Sequence, residues 1–156
     1  MTVDPYKIIP RGGNQFDFES EGEHGFIRKR VEFNRLKPDE FNVGFGDLDA
    51  EGTLDDLKES NNGDLLKVFA TIIKVMEDFL EIYPKASLLF TGSTQQRTRI
   101  YSMILKRYFP RFSRKYEITV LNNMSALNFE LPYDPEKEIP VATFRIRKKV
   151  KDEQES

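Results

Sequence analysis

Between Asp64 and Tyr83 the chain places twelve large apolar residues in twenty positions: Leu65, Leu66, Val68, Phe69, Ile72, Ile73, Val75, Met76, Phe79, Leu80, Ile82 and Tyr83. Laid out at about 100° per residue, they cover more than half of a helix circumference. Lys67, Lys74 and Glu81 recur every seventh position on the narrow stripe that is left. Such a helix must be covered by protein on most of its sides. Asn61-Asn62-Gly63-Asp64 supplies cap chemistry at its start, and Pro84 stops it.

The flanking segments supply that cover as strands. Tyr6–Ile8 opens a short one, and Arg11-Gly12-Gly13-Asn14 has the composition of a turn. Phe16 and Phe18 alternate with polar neighbours, and Glu21 to Gly25 turns the chain. Ile27, Val31 and Phe33 follow in a charged strand that Pro38 breaks, and then Phe41, Val43 and Phe45 at period two. After the helix, Ala86–Thr91 reads as a short buried strand and Thr94–Phe109 as a second helix ending before Pro110. Tyr116, Ile118 and Val120 alternate again, Asn122-Asn123 turns the chain, and Leu127, Phe129 and Leu131 form the returning strand. Pro132–Pro140 is a polar connector, and Val141–Ile146 is an optional last edge strand.

The order is roughly β-β-β-β-α-β-α-β-β. It predicts an α+β fold, a mostly antiparallel sheet with two main helices packed on one face. At 156 residues the chain is long enough for one core. The expectation is a single domain over residues 1–147 and a charged, disordered tail over 148–156. Cys is absent, which excludes a disulfide framework, a thiolate metal site and a cysteine nucleophile. With no signal-peptide pattern and no membrane-spanning run, the reading is a soluble cytoplasmic protein with no membrane partner.

Charge is segregated along the chain. Asp39–Asp64 holds nine acids against Lys58 alone, whereas Lys85–Lys115 holds eight cations and no acid. Such asymmetry can mark an anionic partner for the basic half. The plainer reading is that the halves pair within the fold or solvate it.

One junction carries function-like chemistry. Leu88 to Arg97 runs from a strand through Gly92-Ser93-Thr94 into a helix. Unpaired N–H groups at the helix start, the hydroxyls of Ser93 and Thr94, and the guanidinium of Arg97 can together hold a phosphate or carboxylate. Ser93 and Gln96 also match a capping box, which explains most of the pattern without a ligand. Arg97 falls on the same stripe as Ile100, Tyr101, Ile104, Leu105 and Tyr108, so it needs a counter-charge, from an internal carboxylate or an anionic ligand. Arg99 and Lys106 fall near the opposite side. Neither the phosphate-loop pattern nor G-x-G-x-x-G is present, and no cofactor is implied.

Gly92-Ser93-Thr94, Arg97-Thr98-Arg99 and Tyr101, following an apolar strand, resemble a bacterial family of small domains of unknown function. That resemblance implies a shared fold and no mechanism.

Three other candidates are weaker. Asp47 to Lys58 begins like a calcium loop, but Lys58 stands where a bidentate Glu is required, and no metal is expected. His24, the sole histidine, lies in a turn. Lys106, Arg107, Arg111, Arg114 and Lys115, interleaved with Tyr108, Phe109, Phe112 and Tyr116, form a basic surface suited to nucleic acid. The sequence pI of 5.6 weighs against that partner. The preferred reading is a non-enzymatic binding module recognising an anionic group or protein partner near Gly92–Arg99. The alternative is a small enzyme acting on a phosphate-containing substrate or nucleic acid. The sequence leaves oligomeric state open.

Overall fold

A computed structural model describes residues 3–52, 54–55, 62–91, 95–121, 130–136 and 143–149. The side chains of residues 54, 55, 91, 95–98, 100 and 101 are not among those described. The elements are β1 (Ile9–Gly12), β2 (Gln15–Gly22), β3 (Gly25–Lys37), β4 (Glu40–Leu48), β5 (Leu54–Asp55), α1 (Leu65–Ile82), β6 (Ser87–Thr91), α2 (Gln95–Phe112), β7 (Tyr116–Leu121), β8 (Glu130–Pro132) and β9 (Thr143–Lys148). The fold is α+β, as the patterning predicts. The hydrogen-bonded strand order is β1-β2-β3-β4-β6-β9-β7-β8, with β5 on β4. All described registers are antiparallel except β4 with β6.

The residues group into two compact units, one of Met1–Asn34 with Val43–Ile82, the other of Arg35–Asn42 with Tyr83–Ser156. In the first, Phe18 stacks on Phe45 at 6.4 Å between ring centres and Phe33 on Phe79 of α1 at 4.0 Å. Ten residues of α1 are buried, among them Thr71, as its wide apolar face demands. Tyr6 lies outside the sheet: its N–H donates to Thr71 Oγ1 at 2.8 Å, and Lys67 Nζ sits 4.7 Å from its ring centre. The first strand therefore begins later than the residue pattern suggests, at Ile9. Gly12, Gly13 and Asn14 all have positive φ, which gives the next turn its composition.

A polar cluster fixes the start of α1. The N–H groups of Lys67 and Val68 donate to the Asp64 carbonyl, each at 3.0 Å. The Asp64 carboxylate accepts from Tyr6 Oη and Ser20 Oγ, each at 2.5 Å. Asn62, fully buried, accepts from His24 N at 2.6 Å and donates to Gly25 O at 2.8 Å, while its carbonyl accepts from Glu23 N. The β2–β3 turn is thus pinned to the segment before the helix. Gly22 is required there, because a Cβ on it would lie 1.9 Å from the Asn62 carbonyl oxygen.

The second unit is a split β-α-β arrangement. β6 and β7 both run antiparallel to β9, which lies between them. They are therefore parallel to each other, with α2 as their crossover. α2 covers one face: Phe112 packs on Tyr116 at 4.8 Å, and Phe109 meets Tyr133 at 5.6 Å, which in turn meets Phe144 at 6.1 Å. α2 continues through Pro110 to Phe112, beyond the predicted stop. Proline removes its own donor to the Lys106 carbonyl and its ring crowds that oxygen, but Pro110 lies on the exposed side, where the carbonyl can tilt out to water. Burial of Phe112 and the bond from Ser113 N to Phe109 O hold the last turn. β9 likewise runs to Lys148, past the predicted Ile146, and Lys149 N donates to Lys115 O.

Candidate functional site

The junction lies at one end of the second unit. Thr91, Thr143, Leu121 and Glu130 stand in register across β6, β9, β7 and β8. From this row the chain passes from β6 into α2. Ser93 and Thr94 lie outside the described residues, as does the capping-box residue Ser93 with its partner's side chain at Gln96. Arg97 belongs to α2, but its side chain is outside the described set. Of the predicted anion ligands, Arg99 is described, and it is exposed.

The face of α2 can be built residue by residue. Ile104, Leu105 and Phe112 are buried, and Ser102, Tyr108 and Phe109 are half-buried. Arg99, Met103, Lys106, Arg107, Pro110 and Arg111 are exposed. At about 100° per residue these six fall within one arc of about 140°, centred opposite Leu105. Arg114 and Lys115, in the turn that follows, are exposed as well. Lys106, Arg107 and Arg111 thus share one exposed arc of the helix with Arg99. Among the described residues no carboxylate forms an ion pair with Arg99, Lys106, Arg107, Arg114 or Lys115. The aromatic residues interleaved with it do not join it: Tyr116 and Phe112 are buried, and Phe109 is engaged with Tyr133. Burial, and then Asp134 nearby, raise the Tyr133 pKa above 10.0, so this hydroxyl stays neutral under the helix.

The other face of the same strands carries a second polar group that the sequence alone does not assemble. Arg145 lies between Leu89 and Thr119, with NH1 3.3 Å from Glu40 Oε2 and Nε 2.8 Å from Glu130 Oε1. The Nε–H is not directed at that oxygen, so the second contact is an ion pair without a hydrogen bond. Thr119 Oγ1 donates to the same Glu130 oxygen. Arg147 pairs with Glu117 at 2.9 Å. Glu40 and Arg145 are 105 positions apart, so only the alternation of Thr143-Phe144-Arg145-Ile146-Arg147 hints at this face. With a carboxylate on either side, Arg145 is already neutralised.

The described part of the acidic loop is held by its own contacts. Asp47 pairs with Lys29 at 2.6 Å, both deeply buried, with Lys29 Nζ 5.7 Å from the Phe45 ring centre. Asp49 Oδ1 accepts from Glu51 N, and its carbonyl accepts from Gly52 N, forming a tight turn. Lys58 lies outside the described residues. Among the described residues no group of three His, Cys, Asp or Glu is placed to hold a metal ion. His24 is exposed in its turn. Among the described residues no helix is long and apolar enough to cross a membrane.

Fold and site together define a small α+β module, a split β-α-β sheet whose crossover helix shows a basic stripe outward. The chain belongs to a family of unknown function, DUF6934, whose model matches residues 3–149. No curated protein and no solved structure matches it.

Proposed function

We propose that this protein is a non-enzymatic, cytoplasmic binding module that meets an anionic partner through the exposed face of α2, starting at the Gly92–Arg99 junction. One observation carries the reading: Arg99, Lys106, Arg107 and Arg111 share a single exposed arc, in a stretch from Lys85 to Lys115 with no acidic residue. A solvated helix surface normally intersperses both signs. The chain as a whole has a formal charge of −2, so attraction to a polyanion has to be local.

Chromatography on a sulfonate or heparin matrix at neutral pH tests this directly. The protein is expected to be retained despite its net charge and to elute with salt. The double variant Lys106→Glu, Arg107→Glu is expected in the flow-through with an unchanged circular dichroism spectrum. Wild-type protein in the flow-through overturns the reading.

A further inference from the structure

Resting on that reading of α2, we infer that the anionic partner is the phosphate backbone of double-stranded nucleic acid, bound without sequence preference. The first argument is composition. Protein–protein interfaces bury an apolar centre depleted of charge, and lysine is disfavoured in them. Among the described residues, the exposed arc of α2 offers Met103 and Pro110 as its apolar members, among four cations, with two more in the following turn. Nucleic-acid interfaces are the ones that are polar and strongly positive.

The second argument separates duplex from single strand. Single strands are held by stacking bases on exposed aromatic rings. Here Phe112 and Tyr116 face each other in the core, Phe109 lies against Tyr133, and Tyr108 is half-buried. The cations remain outside while the rings turn inward, which suits phosphate contact and leaves no stacking platform on this face among the described residues. Four of the six cations are arginines, whose planar fork matches phosphate oxygens.

The third argument is reach. From Arg99 to Arg111 the helix rises about 18 Å at 1.5 Å per residue. One strand of a duplex presents a phosphate about every 3.4 Å of axis, so about five phosphates lie alongside.

Fluorescence anisotropy of labelled random-sequence duplex DNA, the matching single strand and labelled poly-glutamate tests the inference on the full chain. The duplex is expected to bind with a slope of log K against log salt of about −3 to −5 between about 50 and 200 mM salt. Lys106→Glu with Arg107→Glu is expected to weaken binding at least about tenfold and to flatten the slope by about two. Lys7→Glu with Lys74→Glu, both exposed and in the first unit, is the charge-matched control and leaves binding within about twofold. Poly-glutamate bound in preference to duplex overturns this inference while leaving the anion-binding reading standing. Preference for the single strand also overturns it. Binding of none of the three overturns both.

Discussion

Asn62 and Gly22 show how closely one pair of residues can determine a local structure. A methyl group at position 22 would meet backbone oxygen, which cannot rotate away. Gly22→Ala is therefore expected to destabilise the fold by about 2–4 kcal/mol, read from urea denaturation at constant m-value. Asn62→Ala leaves the part-buried His24 N–H and Gly25 carbonyl without their partners and should cost about 1–2 kcal/mol in the same assay. The Lys29–Asp47 pair behaves differently from a surface bridge, since neither group reaches water. Asp47→Ala is expected to cost about 3–5 kcal/mol, and Lys29→Met with Asp47→Leu to recover most of it. A double-mutant cycle with no coupling would contradict that. Asp17 gives a pH signature. Burial raises its pKa, but hydrogen bonds from Arg30 at 2.7 Å and Arg11 at 2.9 Å outweigh burial and hold it below the ordinary 3.8. Its contribution is complete above about pH 4 and is lost as pH falls through the lowered value. Asp17→Asn should flatten that acid limb of a stability–pH curve and leave the neutral region parallel to wild type. Apart from Arg11 with Asp17, six positions apart across a hairpin, none of these contacts is local in sequence, which is why periodicity alone does not reveal them. Gly22 is legible only as a turn glycine, and Asp47 reads as a loop acid until Lys29 is placed beside it.

The helices were the most legible elements, because an apolar face repeats at a period that nothing else produces. α1 spans Leu65–Ile82 against an expected Asp64–Tyr83. The end of α2 was less legible: proline is read as a stop, yet the cost of one exposed, unpaired carbonyl is small beside the burial of Phe112. Phe112→Ala is expected to lose about 3–5 kcal/mol and to fray the turn after Phe109, seen as faster amide exchange at Ser113. Pro110→Ala should leave that turn intact. The stripe of α2 was half legible. Its cations were visible as a run, and periodicity already placed Arg99 and Lys106 opposite Leu105; the structure adds that Arg107 and Arg111 share that exposed side. The signature residues Ser93, Thr94 and Arg97 stand immediately before and within the first turn, and the role assigned to Arg97 rests on the helical pattern alone. The position of β9 was not legible, since an alternating strand announces its two faces but not its neighbours.

Over the whole molecule, the two strands that end the hydrogen-bonded order each carry a proline, Pro10 in β1 and Pro132 in β8. In β8, Tyr133 N donates inward to Ile118 O, so the proline nitrogen beside it faces outward, where a donor would otherwise invite another chain. Pro132→Val is expected to raise the rate of self-association at high concentration, followed by light scattering, with little change in stability.

The place of β9 has a consequence for biosynthesis. β6 and β7 are both synthesised well before the strand that separates and joins them. Until residues 143–148 leave the ribosome, those two strands present open hydrogen-bonding edges and the apolar faces of Leu88, Phe90 and Ile118 wait for Phe144 and Ile146. The residues of the first unit are all complete by Ile82. Vectorial synthesis thus gives a nascent chain whose early unit can fold during translation, while its later half stays exposed to chaperones until the last strand is inserted.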